Sequence, residues 1–298
     1  MKKRLNVHLY VTPICNLKCK HCYYEAKDMK YNLDDILSIE ELKYIIVNLV
    51  DNYDVYFDIE GGELFLRDDI EKLFLSLDDK YLNRITITTN GTINFDTTQS
   101  YLKKLDEFRI SFESYNDNIQ KQIRGIGLER PLKLAKDLLK NRVEPTIRVT
   151  IHKFNFNDII NLIDFYKNMG FKKFSFYEFQ VIGYGMENQE LALNDDDFSL
   201  LIDTINHLNF KDIDIKFSFS KVRQQYKNKI TNLNIIDFGN IASLTIDYNG
   251  DIGVCPWQKD RFDKFNINSF NKLIKEKIDN NLLNHQCSYC SAFRITNA

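Results

Sequence analysis

Six cysteines occur in this 298-residue chain, in two groups. Cys15, Cys19 and Cys22 stand within eight residues as C-x3-C-x2-C; Cys255, Cys287 and Cys290 fall in the last 44. Clustering of this kind argues for metal rather than for disulfides or scattered core thiols. Three thiolates at the first spacing can wrap one corner of an iron–sulfur cubane, leaving its remaining iron to an exogenous ligand. Zinc is the competing metal, but structural zinc takes four protein ligands, commonly from paired knuckles, which one tight loop matches poorly. His21 is the available fourth donor, yet it sits between two cysteines and would point away. Simple core cysteines are the remaining alternative. A second motif, Gly61-Gly62-Glu63, joins glycines that let backbone approach a ligand to a carboxylate that can pair with an ammonium.

The hydrophobic periodicity supplies the elements that must hold these groups. Strand-like runs occur at 6–12, 55–59, 85–89, 109–113, 146–151 and 174–179. Helical spacing falls between them, at 39–51, within 64–77, around 101–105, at 132–141 and at 158–168. Ser38 followed by Glu41 reads as a capping box, and Gly170 as a closing C′ glycine. Six strands alternating with helices indicate parallel βαβ units, fewer than the eight of a closed barrel. The expected fold class is α/β, a partial (β/α)6 TIM-like barrel, with chemistry at the carboxyl ends of its strands. The cysteine loop, Gly61-Gly62-Glu63, Asn90-Gly91, Glu113-Ser114 and Glu178 all fall at such ends. After residue 179 the pattern changes to a helix at 195–208, a strand at 213–219 and a polar helix or loop at 221–229. A hairpin at Asn249-Gly250 and a helix at 269–283 then lead into the last cysteines. This predicts a core domain over 1–211 and a small C-terminal cysteine-containing hairpin-helix appendage over 212–298.

Composition narrows the function classes. Forty Lys+Arg against 42 Asp+Glu, interspersed, give a net charge of −2 and no basic stripe for nucleic acid. Apolar stretches are a handful of residues, far short of a membrane span, and the N-terminus lacks the apolar core of a signal peptide. A cytoplasmic protein is expected.

C-x3-C-x2-C directly after the first strand of a six-fold βα repeat resembles the radical S-adenosylmethionine (SAM) superfamily. The resemblance implies a 4Fe–4S cluster on Cys15, Cys19 and Cys22 whose open iron is chelated by SAM. Electron transfer to the sulfonium then yields methionine and a 5′-deoxyadenosyl radical, which abstracts a substrate hydrogen. His21 stands where the family has an aromatic residue near adenine. Gly61-Gly62-Glu63 matches the motif that meets the SAM amino group, with Leu64 in place of the usual Pro. Ser111 and Arg124 match positions that hold the carboxylate and ribose, and Ile151 and Glu178 are weaker adenine candidates. The bland alternatives are a surface ion pair for Arg124 and a solvated strand end for Glu178.

Gly250-x4-Cys255 followed by Cys287-x2-Cys290 resembles the auxiliary-cluster appendage of such enzymes, SPASM in its longer form and twitch in its shorter one. The upstream cysteine of that pattern is missing, with Phe238 roughly in its place, and few residues follow Cys290, so the shorter form is expected. A second 4Fe–4S cluster with an open iron, the same cluster completed by Asp237 or His285, and a zinc clip using His285 are the competing readings. Trp257 packs against this site on the simplest reading. Tyr23, Tyr24, Tyr177 and Tyr184 could do redox work, although most of the 16 tyrosines must serve core or rim.

The resemblance implies either a ribosomally made peptide substrate (cross-linked, oxidised or epimerised) or a small molecule that is oxidised or cyclised. No peptide-recognition segment precedes the first strand, so a separate recognition protein or strand addition is expected for a peptide. A flavodoxin or ferredoxin is the implied electron donor. The molybdopterin-pathway GTP cyclase is disfavoured because its terminal Gly-Gly is replaced by Ile-Thr-Asn-Ala. A non-catalytic metal-binding interaction protein is the alternative from another class, and it would need neither the GGE motif nor Arg124.

Overall fold

Alternation along the strands decides which face of each meets helices and which meets the interior. The computed structural model describes residues 4–25, 35–208, 211–231, 233–237, 242–257, 260–280, 282–283 and 291–297. In β1 (Arg4–Tyr10) Leu5, Val7 and Leu9 are buried toward the helical side, and in β2 (Asp54–Glu60) Val55, Phe57 and Ile59 are. The opposite faces carry His8 and Tyr10, and Asp58 and Glu60. Between these strands lies α1 (Ile39–Asn52), opened by the expected capping box: the Ser38 hydroxyl accepts from the Glu41 amide and Glu41 from the Ser38 amide. The chain continues through α2 (Ile70–Leu75), α3 (Asp79–Leu82), β3 (Ile85–Thr89), β4 (Glu107–Phe112), α4 (Asp117–Arg124), α5 (Glu129–Lys140) and β5 (Thr146–Ile151). Then come α6 (Ile159–Asn168), β6 (Lys173–Glu178), α7 (Asp195–Asn206) and β7 (Asp214–Ser220). The last elements are β8 (Asn234–Asp237), β9 (Ala242–Ile246), β10 (Asp251–Gly253), β11 (Arg261–Lys264), α8 (Phe270–Asp279) and β12 (Ser291–Thr296).

Strands β1 to β7 pair in sequence order, all parallel. The full sheet runs β11-β10-β9-β1-β2-β3-β4-β5-β6-β7-β12-β8 and is not closed. This is the α/β partial-barrel class expected. The strands of 212–298 extend the core sheet rather than forming a layer of their own. β7 pairs parallel with β6, and β9 parallel with β1, while β12, β8, β10 and β11 add antiparallel strands outside them. The reason is visible in β7: Ile215, Phe217 and Phe219 face the helical core while Lys216, Ser218 and Ser220 face inward, the same alternation as in β1 and β2.

The polar interior is closed at its amino end by a charge network. Arg109 on β4 bridges Asp58 (2.7 Å) and Glu107 (2.6 Å), and Thr146 donates to Glu107 at 2.7 Å. Burial alone would raise the Glu107 carboxyl; the Arg109 and Lys216 charges outweigh it and hold the group at about 2. Above this floor the carboxyl ends of the strands open into the site.

Candidate active site

The cysteine loop is fixed by the glycine motif on the neighbouring strand. Gly62 N–H donates to the Thr12 carbonyl (2.9 Å) and Glu63 N–H to that of Ile14 (2.7 Å), so the two chains pair where the loop begins. A Cβ on Gly62 would lie 1.9 Å from the Ile14 carbonyl oxygen, and one on Gly61, at φ +148°, 2.4 Å from that of Thr12. Only glycine allows this approach. Further along, Lys20 N–H donates to the Ile123 carbonyl at the end of α4, and the Cys22 carbonyl accepts from Tyr184 N–H, both at 2.9 Å.

This pinning turns Cys15, Cys19 and Cys22 into one cavity of about 1160 Å³, its open mouth included. All three are free thiols. The Cys15 sulfur accepts from Leu17 N–H (3.4 Å) and Asn90 Nδ2 (3.7 Å), and the Cys19 thiol faces the Arg124 carbonyl at 4.0 Å. Burial pushes the Cys19 thiol up to about 12 against the pull of Arg124, and raises Cys15 in the same way. Those two thiols stay protonated unless a cationic metal draws off the proton, and the three cysteines around one cavity are a donor set that fits an iron–sulfur cluster. Among the described residues no three His, Cys, Asp or Glu side chains are arranged to hold a single ion. A cubane asks instead for thiolates on separate irons.

Next to the thiols lies a buried charged node. Glu113, just past β4, accepts from Arg124 NH1 (2.9 Å), stands 2.6 Å from His21 Nε2 and 3.5 Å from His152 Nε2, and is 1% exposed. Its backbone is held too, the amide donating to Gln120 Oε1 and the carbonyl accepting from Asn155 Nδ2, both at 2.8 Å. Burial would raise the Glu113 carboxyl, but the His21 charge, hydrogen bonds from His152 and His21, and the Arg124 charge hold it well below the ordinary range. Arg124 Nε is buried without a partner, a donor still available inside the site.

The residues expected from the sequence separate into groups. His21, Gly61, Gly62, Ser111, Arg124 and Glu178 line the cavity with the three cysteines. Two expectations change, and for Glu178 the bland alternative falls away. The Glu63 carboxylate does not line the cavity: it is 1% exposed and accepts from Thr89 Oγ1 and Asn90 N–H, both at 2.7 Å, clamping the end of β3 beneath the loop. Burial raises this carboxyl against those hydrogen bonds. The Ile151 side chain belongs to the helix-facing core, and the neighbouring Thr150 lines the cavity instead, because alternation along β5 turns 148 and 150 inward. Glu178 is no solvated strand end; it is tied to Arg223 Nε (2.6 Å) and the Ser220 hydroxyl (2.8 Å).

Cys255 is buried, and Trp257 meets the Tyr23 ring edge-on at 4.5 Å on the cavity wall. Cys287, Cys290, His285 and Phe238 lie outside the described residues, as does the side chain of Asp237. Sequence reasoning missed the roles of Glu113 and Asn90 and the exposure of Arg148 to the cavity. The signal for Glu113 was available: it follows Ser111 by two residues and so shares its strand face.

Comparison with known proteins completes the picture. The model of the radical SAM superfamily matches residues 9–166, over half of the chain. The chain belongs to the radical SAM superfamily. It is 30% identical to the Fe-coproporphyrin III synthase of Methanosarcina barkeri over 193 residues, 62% of this chain and 47% of that protein. It is 25% identical to the antilisterial bacteriocin subtilosin biosynthesis protein AlbA of Bacillus subtilis over 189 residues, 61% of this chain and 41% of that protein. The chain thus spans about half the length of these curated relatives. In fold it is similar to Streptococcus suis SuiB bound to the precursor peptide SuiA, with a TM-score of 0.68, 19% identity, and 89% of this chain and 63% of that one covered. Membership in the superfamily implies a 4Fe–4S cluster and SAM. Among the described residues no helix is long and apolar enough to cross a membrane.

Proposed function

We propose that this radical SAM enzyme matures a ribosomally synthesised peptide by cross-linking, oxidation or epimerisation. The observation that carries the reading is the open cavity, in which the three cysteine thiols share one chamber with the polar inward faces of β4 to β7. Likeness in fold to SuiB with its precursor peptide, and in sequence to a bacteriocin biosynthesis protein, supports a peptide over a small molecule. The Fe-coproporphyrin III synthase relative favours the second reading, a small-molecule oxidoreductase.

In this reading Cys15, Cys19 and Cys22 hold the cluster, which when bound supplies the electron that splits SAM into methionine and a 5′-deoxyadenosyl radical. Gly61 and Gly62 hold the loop and offer backbone to SAM. The Arg124 guanidinium, oriented by Glu113, and the Ser111 hydroxyl receive the SAM carboxylate and ribose, and His21 flanks the adenine. Glu63 keeps β3 and Asn90 under Cys15. Residues 1–211 form the radical SAM core and 212–298 a twitch-like region in which Cys255, Cys287 and Cys290 hold an auxiliary cluster. The electron comes from a flavodoxin- or ferredoxin-type donor in the cytoplasm.

The test is incubation of the reduced, SAM-loaded enzyme with peptides encoded beside its gene, read by mass spectrometry. A peptide short of a hydrogen pair, or one with an inverted residue, supports the reading. Turnover of a porphyrin-type or nucleotide substrate with no peptide change contradicts it.

A further inference from the structure

Among the described residues two guanidinium groups line the cavity, Arg124 and Arg148, and only the first is neutralised where it stands. Arg124 is paired with Glu113. Arg109, beneath, is paired with Asp58 and Glu107, and Arg223, behind Glu178, with that carboxylate. Arg148 is different. It projects inward from the middle of β5, beside Ser111 on β4, and lines the cavity. Among the described residues its guanidinium makes no hydrogen bond and no ion pair; it lies over the Tyr177 ring, 3.8 Å from the centroid. A guanidinium stacked on an aromatic face keeps its N–H edge directed away from the ring, free for a ligand.

Two further observations favour an anion there. The Ser218 hydroxyl, on the strand next to Tyr177, accepts from Arg294 Nε at 3.2 Å, which leaves its own proton to donate into the cavity. Burial and the Asp58 charge would raise the Tyr177 phenol, yet the charges of Arg109, Arg148 and Arg294 outweigh them and bring it down to about 8.

We propose that Arg148, with the Ser218 hydroxyl across Tyr177, is the specificity-determining anchor for a carboxylate on the peptide that this site modifies. The proposal rests on the peptide reading above. A planar carboxylate suits the guanidinium fork, and a charge-assisted pair in a partly buried site discriminates strongly against a neutral isostere.

The test uses the SAM-loaded holoenzyme, immobilised without air and offered equimolar pools of short N-acetylated, C-amidated peptides that differ only as Glu or Gln at one position. Retained peptides are identified by mass spectrometry. Glu members are expected to be enriched at least about tenfold over their Gln partners, the discrimination of one charge-assisted hydrogen bond. Arg148→Gln brings the ratio close to one, whereas Arg148→Lys, which keeps a cation in place, retains the preference. A third pool, with a free C-terminal carboxylate and no Glu, distinguishes a chain end from a side chain as the source; enrichment of either kind supports the anchor. SAM Kd is measured on each variant as the check on folding and on the site assigned. Peptides retained with no preference for acid overturn the proposal, as does a preference that survives Arg148→Gln. A SAM Kd weakened tenfold by Arg148→Gln also overturns it, since Arg148 would then be a SAM ligand. Retention of no peptide at all instead refutes the peptide reading, and the anchor with it.

Discussion

Glu113→Gln removes the carboxylate that, among the described residues, is the one ion-pair partner of Arg124. The native carboxylate is 1% exposed and faces Arg124 NH1 at 2.9 Å and His21 Nε2 at 2.6 Å, while the Arg124 side chain is itself only 6% exposed. Glutamine keeps the shape but leaves Arg124 buried without its directly paired carboxylate. Breaking one side of such a pair costs about 3–5 kcal/mol, whereas an exposed pair would cost no more than about 1 kcal/mol. With a urea m-value near 3 kcal/mol/M for a chain of this size, the midpoint should fall by roughly 1–1.7 M. Urea titrations of metal-free, reduced protein followed by circular dichroism measure this. The pH dependence supplies a second check. The folded Glu113 carboxyl lies below its ordinary value of 4.5, so its contribution is fully present above that value and is lost as pH falls. The gap between wild type and variant should therefore narrow as pH falls below about 4.5. A loss under about 1 kcal/mol at neutral pH, or a gap that widens as pH falls below about 4.5, would refute the claim that Glu113 is the buried counter-charge of Arg124.

Other substitutions test the remaining parts. Gly62→Ala puts a Cβ 1.9 Å from the Ile14 carbonyl oxygen, so the start of the cysteine loop must shift and iron incorporation should fall several-fold. Gly125→Ala is the control: it meets nothing within 4 Å and costs only the left-handed backbone, about 1–2 kcal/mol, with iron content retained. Ultraviolet difference titration should show one tyrosine ionising at about 8, absent in Tyr177→Phe and moved upward in Arg148→Gln. Arg67→Met removes a 2%-exposed guanidinium that bonds the Val11 carbonyl (3.0 Å) and Asp69 (2.7 Å), and should destabilise by about 2–4 kcal/mol in the same urea assay.

The six βα units were legible because apolar alternation in β1 to β6 answers to a local rule. The Ser38–Glu41 cap and the Asn249-Gly250 hairpin are local in the same sense. The cysteine motif is legible as a grouping, since its close spacing brings Cys15, Cys19 and Cys22 to one cavity. What the sequence concealed depends on pairing across distance. The inward alternation of 214–220 matches that of the core strands, but nothing local says that β7 continues the sheet or that β9 pairs with β1. The glycine–glycine pair reads as a ligand-approach motif, and only the fold shows that the backbone it first admits is that of Thr12 to Ile14. Glu63 reads as a ligand for an ammonium, and its commitment to Thr89 and Asn90 depends on where β3 ends. Glu113 was placed at a strand end that carries chemistry, but its pairing went unread because its partners, His21 and His152, are distant in sequence. Ile151 was misplaced by a single residue, which on a strand reverses the face.

The most direct measurement is SAM cleavage by anaerobically reconstituted, reduced protein beside its Cys15→Ala/Cys19→Ala/Cys22→Ala variant. The account predicts 5′-deoxyadenosine and methionine from the first and none from the second. It further predicts that the variant keeps the irons of an auxiliary cluster and loses only those of the N-terminal site. Equal cleavage by the variant, or a colourless zinc-loaded protein that leaves SAM intact, would contradict it.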